Sequence, residues 1–166
     1  MTISEALLPE LDQEVANTRK TLERVPADNP QFAPHAKSMP LGRLAPHLAE
    51  LVSFGISILT TPRVDFSKDS YKPLAMESAA QLVKVLEEGA AKLRKALADT
   101  PDEAWKENWK LAFDGKVLFD APRFLAYREM FLNHLVHHRA QLGVYLRLNG
   151  VPVPAIYGPS ADEPWM

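Results

Sequence analysis

Three of the five histidines, His134, His137 and His138, fall within five consecutive positions of a segment with helical periodicity. Imidazole can ligate a metal, shuttle a proton or close a hydrogen bond in a core, so such crowding asks for a chemical reason. At about 100° and 1.5 Å per residue, His134 and His138 differ by about 40° around the axis and stand about 6 Å apart along it, so both rings can reach one ion. Both are in register with Phe124, Tyr127, Phe131, Leu142 and Tyr145, the side expected to face the core. His137 lies about 60° from His134 on the other flank, beside the site or in solvent, and a His134/His137 pair is the alternative.

His47 is in phase with Leu44, Leu51, Phe54 and Ile58, so a third imidazole can meet the pair. Taken alone, an inward-phased histidine is more often a hydrogen-bonded core residue than a ligand. Three neutral imidazoles that leave coordination positions open would suit zinc, nickel or ferrous iron. His35 sits in a proline-rich stretch and carries no periodic information.

Neighbouring chemistries can be set aside. In His134-Leu135-Val136-His137-His138, Leu135 stands where a zinc protease has its general-base Glu. No Glu precedes a histidine by three positions, so the Glu-x-x-His pairs of di-iron bundles are missing. Glu50, three residues after His47, could be a fourth ligand or an acceptor behind the ligands, although an exposed charge is its expected role. There is no cysteine, so thiolate sites are excluded. Phosphate-cradling glycine loops and a Gly-x-Ser-x-Gly elbow are absent. Lys plus Arg total 19 against 21 for Asp plus Glu, a net charge of −2 that argues against bulk capture of nucleic acid.

The elements that must position these residues read as four helices. With 166 residues, 46% apolar and 24% charged, residues 1–166 fit a single domain. The first helix is expected from Ser4 as N-cap to about Arg24, with Leu7, Leu11, Val15, Thr18 and Leu22 as its stripe. Pro26, Pro30 and Pro34 predict a long loop, and a second helix starts near Ser38, with Pro40 in its first turn and Pro46 as a kink or delayed start. The third spans about Ala75 to Ala98, with Gly89 as a weak point. Asp114-Gly115 predicts a hairpin-like insert between Trp105 and Phe119, as two short strands or an extended loop. The last helix runs from about Pro122 to Leu148 and ends at Asn149-Gly150. The predicted fold is an all-α four-helix bundle. No span or leader is apparent, so a cytoplasmic protein is expected.

Three stretches give this pattern a family likeness: Ser38-Met39-Pro40-Leu41-Gly42-Arg43-Leu44-Ala45-Pro46-His47-Leu48-Ala49, Asn133-His134-Leu135-Val136-His137-His138-Arg139-Ala140-Gln141-Leu142, and Leu148-Asn149-Gly150-Val151-Pro152-Val153-Pro154-Ala155-Ile156-Tyr157-Gly158. They resemble the DinB/YfiT-like superfamily of metal-binding four-helix bundles. The resemblance implies His47, His134 and His138 as ligands of a divalent ion. Two departures are Ala140, where many relatives have Gly, and Pro46 directly before the first ligand. It further implies an activity like that of relatives that activate low-molecular-weight thiols, in bacillithiol or mycothiol transfer and in thiol-dependent maleylpyruvate isomerisation. The expected partners are thus a small-molecule thiol and an electrophile, with no nucleic acid and no membrane, and a homodimer left open. Tyr127, Tyr145 and Arg139 are the residues that could contact an electrophile, each with a structural role as its default.

Overall fold

The computed structural model describes residues 1–67 and 72–164. Its frame is helical, as expected, with a small sheet at one end. Helix α1, Ile3–Leu22, is capped by Thr2 rather than Ser4. Thr2 Oγ1 accepts from the Glu5 amide at 3.1 Å while Glu5 Oε2 accepts from the Thr2 amide at 2.7 Å, a reciprocal box satisfying two otherwise orphaned donors. Ser4 lies inside the helix, where its buried hydroxyl donates to Thr100 O and accepts from Trp105 Nε1.

Helix α2, Leu41–Thr60, begins later than expected, with Pro40 as its N-cap. The proline-rich loop takes up its first amides, Leu41 N donating to Phe32 O and Gly42 N to Pro30 O, both at 2.8 Å. A Cβ on Gly42 would lie 2.9 Å from Pro30 Cβ, so only glycine lets the loop approach this closely. Pro46 removes one intrahelical donor, yet the helix continues through it.

A short strand β1, Arg63–Phe66, follows α2 and was not anticipated. Its residues Arg63-Val64-Asp65-Phe66 do alternate in polarity and in exposure, a period-two signal at the shortest length that reads as a strand. It pairs in parallel with β2, Asn108–Phe113, which pairs antiparallel with β3, Lys116–Pro122. The β2–β3 turn uses Asp114 and Gly115 at φ 47° and 78°, the left-handed pair the sequence predicts. Between β1 and β2 lies α3, Ala79–Ala98, whose N-cap Ser78 puts the start four residues later than expected.

The chain then runs on as α4, Arg123–Ala126, a π-helical segment, Tyr127–Leu132, and α5, Asn133–Leu148. The Asn133 amide donates five residues back, to Arg128 O, so one extra residue is accommodated before α5. That insertion slips the helical phase, which is why Phe124 is 38% exposed although it reads in register with the histidines. At the other end Val151 N donates to Leu146 O and Gly150 N to Arg147 O, with Gly150 at φ 71°, closing α5 in a Schellman motif.

Around the core, α2 packs on α3 and α5, and α1 packs on the same two, so α1 and α2 lie across the bundle from each other. Leu44, Leu48, Leu82, Leu86, Leu93, Tyr127, Phe131 and Leu142 are fully buried between them. Buried Arg123 fastens the end of α2 by donating to Ile58 O and, at 2.9 Å, to Thr61 O. Buried Arg139 pairs with Glu14 at 2.6 Å and donates to Tyr157 Oη at 2.5 Å, tying α5 to α1 and to the segment after it. No helix among the described residues is long and apolar enough to cross a membrane.

Gly89 is less a weak point than a contact point, because a Cβ there would meet Val52 Cγ2 at 2.4 Å on facing α2. Gly89→Ala gains about 1 kcal/mol of helix propensity but overpacks against a β-branched side chain with little rotamer freedom, at a cost of about 1–3 kcal/mol. Urea unfolding should show the variant destabilised; a variant stabler than the parent would refute this close approach.

Candidate metal centre

His47 sits on the second turn of α2, and His134 and His138 on the first turns of α5, where α2 crosses the last helix. The ring centroids are 5.3 Å apart for His47–His134, 4.8 Å for His47–His138 and 4.5 Å for His134–His138. One nitrogen from each lies within 4.8 Å of the other two. The structure thus brings together the three residues the family resemblance implies. His137 is exposed, its ring 4.9 Å from that of His138, and is outside the converging set. His35 is exposed in the loop, where its Nδ1 accepts from the Lys37 amide.

The groups behind the rings decide which nitrogens face inward. His134 Nδ1 lies 3.2 Å from Met130 O, and His138 Nδ1 lies 2.8 Å from Gln141 Oε1. Both partners are acceptors, so each Nδ1 donates and each Nε2 is left with a lone pair. The two Nε2 atoms face each other at 2.8 Å. Two lone pairs in that position repel unless a proton or a cation lies between them. A ligand histidine whose other nitrogen donates to a carbonyl or amide oxygen is the usual support for a metal bond. The residues present therefore fit a divalent ion.

Electrostatics agree. Burial, then the neighbouring imidazoles of His138 and His134, then Arg43, lower the His47 pKa from 6.5 to about 4. Burial likewise lowers His134 and His138, against the opposing effect of their hydrogen bonds to Met130 and Gln141. All three rings are thus neutral, the ligating form, at neutral pH. No carboxylate joins the set among the described residues. Glu50 is occupied elsewhere, with Oε1 accepting from the Leu74 amide at 3.1 Å.

Other residues nominated from sequence are committed to the frame. Tyr145 Oη donates to Met39 O at 2.8 Å, Arg139 pairs with Glu14, and Tyr127 is fully buried against Trp105 and Phe131. Sequence reasoning passed over Gln141, although its place three residues after His138 on a helix was a usable signal.

About one divalent ion per chain is expected by elemental analysis, lost on His47→Ala, His134→Ala or His138→Ala and retained on His35→Ala and His137→Ala. Gln141→Ala should weaken binding about 10- to 100-fold while the fold persists, since it removes only the group that orients His138. Because burial lowers all three histidines, and His47 to about 4, ion affinity should persist below pH 6.5 and weaken as further acidification protonates the rings. Between pH 6.5 and about 4 the unfolded chain protonates His47 while the ion-free fold does not, so the stability of the ion-free protein should decrease as pH falls across that window. A pH titration of bound metal with its midpoint at 6.5 would contradict the buried placement of His47.

The likeness expected from sequence is also found by comparison. The model of the DinB family matches residues 2–165. A DinB-like protein from Bacillus cereus ATCC 10987 has a similar crystal structure, with a TM-score of 0.68 and 20% identity, covering 92% of this chain and 97% of that one. A DinB-like protein from Bacillus subtilis, YjoA, gives 0.66 and 16%, covering 97% and 99%. No curated protein matches the chain. With a helical bundle shared along its length and a family match over nearly every residue, the chain belongs to the DinB family.

Proposed function

We propose that this protein is a divalent-metal-dependent enzyme that handles a small thiol, as a thiol S-transferase or a related thiol-dependent isomerase. The observation that carries the reading is a convergence of three neutral imidazoles with no carboxylate among them. His47, His134 and His138 would hold the ion, with Met130 O and Gln141 keeping two of the rings in their ligating tautomer. A divalent ion bound there would lower the pKa of a thiol from about 8.5 and supply thiolate near neutral pH. With Leu135 in the general-base place and Glu50 engaged, no carboxylate among the described residues is placed with the histidines to take a proton from water, so a thiol suits the site better than hydrolysis does.

In a transfer reaction the sulfur's electron pair forms a carbon–sulfur bond as a carbon–halogen bond breaks and halide departs. With an epoxide the ring carbon–oxygen bond breaks and the oxygen takes a proton from solvent. The α2–α5 crossing positions the three imidazoles, and half-burial of the rings restricts water around them.

Purified protein loaded in turn with zinc, nickel and ferrous iron should conjugate a bacterial low-molecular-weight thiol to a haloarene or epoxide. Turnover should fall by at least 100-fold on chelation and on His134→Ala. Loaded protein that turns over no thiol in a broad panel, and whose metal is undisturbed by thiols, would favour a non-catalytic metal- or ligand-binding bundle instead.

A further inference from the structure

Gly143 differs from the other glycines that lie inside helices. At Gly42, Gly55 and Gly89 a Cβ would lie 2.9, 3.1 and 2.4 Å from its nearest neighbour, so each of them lets two segments approach closely. At Gly143 it would meet only Val153 Cγ1, at 3.8 Å, an ordinary contact. Glycine in the interior of a helix is destabilising relative to alanine. In α5 that cost brings no closer packing, and it leaves space beside the helix.

The space is a groove of about 400 Å³ between α5 and the segment that follows it. Ala140 and Val144 join Gly143 on one wall, and Val153 and Ile156 stand on the other. At about 100° per residue Gly143 projects about 180° from His134, so the groove lies on the face of α5 opposite the ligand histidines.

The far wall is anchored independently of the groove. Val153 N donates to Asp162 Oδ2 and Ala155 N to Glu163 Oε2, both at 2.8 Å, while Arg147 pairs with Asp162 and Arg24 with Glu163. These bonds hold the segment in place without its collapsing onto Gly143. A recess of this size that is largely formed before anything enters it, with mostly apolar walls, is the usual form of a small-molecule site.

The polar side chains on the walls define what can enter, because all of them are engaged. Thr21 Oγ1 donates to Asn17 O at 3.1 Å, Arg139 is paired with Glu14, and Arg147 with Asp162. Tyr157 Oη donates to Glu14 at 2.7 Å and accepts from Arg139 at 2.5 Å. A charged ligand would give up its hydration here and find no free partner. An apolar one gives up no hydrogen bond, and it covers apolar surface such as Val144, which is otherwise 57% exposed.

We infer that this groove is a binding site for an uncharged apolar molecule of naphthyl size, separate from the metal centre on the other side of α5. The inference does not depend on the thiol-handling reading and stands if that reading falls.

The test uses the full-length protein and N-phenyl-1-naphthylamine, an uncharged probe that fluoresces in apolar surroundings, with its 8-sulfonate as the charged counterpart. The uncharged probe should bind with one site per chain, about ten-fold or more tighter than the sulfonate. Ala140→Leu and Gly143→Leu fill the groove from the α5 wall, and each should weaken binding about ten-fold or more while helical circular dichroism and metal content match the parent. No saturable binding, equal affinity for the sulfonate, or undiminished binding in either variant overturns the inference. Should the variants fail to fold, nuclear Overhauser contacts between the probe and the methyl groups of the unaltered protein decide the question. Contacts to Val144, Val153 and Ile156 support the site, and contacts confined to other methyl groups refute it.

Discussion

Two imidazole nitrogens turned toward each other at 2.8 Å in a half-buried place repel through their lone pairs unless a proton or a cation lies between them. Much else in the molecule serves to maintain that juxtaposition. Met130 O and Gln141 turn the rings so that their lone pairs converge, and the π-helical segment before α5 sets the rotation from which His134 projects. Around them, Arg123 and the clamp of Pro30 on Gly42 fix where α2 lies against the last helix. The bundle is thus a frame for a local conflict that a bound ion would resolve.

The same frame sorts chemistry from structure among residues that look alike in one dimension. Arg139 adjoins His138, yet its charge is spent on Glu14 within the core. Arg43, a full helical turn before His47, shares its face of α2 and adds to the causes that keep that ring neutral. A buried ion pair contributes little net stability, but breaking one strands a charge, so Arg139 and Glu14 must be kept together. Positional identity around the helix, not adjacency in the chain, separates the two roles.

Much of this was legible in the sequence, for reasons particular residues make clear. The i, i+4 histidine pair and the phase of His47 depend only on helical geometry, which holds within α2 and within α5. The phase of Phe124 failed because the π segment lies between it and His134, and no local propensity announces an inserted residue. Asp114-Gly115 declared its turn through left-handed backbone angles, whereas β1 exists only because β2 offers it a pairing edge. Ser4 read as a cap by type, but Thr2 has Glu5 at the spacing that closes the reciprocal box, and tertiary contacts to Thr100 and Trp105 claimed Ser4. Gln141 and Met130 O act through three-dimensional hydrogen bonds that periodicity does not report.

The Glu14–Arg139–Tyr157 cluster carries a consequence for how the protein is made. Glu14 and Arg139 are 125 residues apart in sequence, and Tyr157 lies a further 18 residues on. Helix α1 leaves the ribosome early with an acidic side chain destined for the interior and no partner yet synthesised to neutralise it. Glu14 is thus left without its buried counter-charge until the histidine-bearing helix is present. Arg139 directly follows His138, so the contact that ties α5 to α1 also carries one of the three converging histidines.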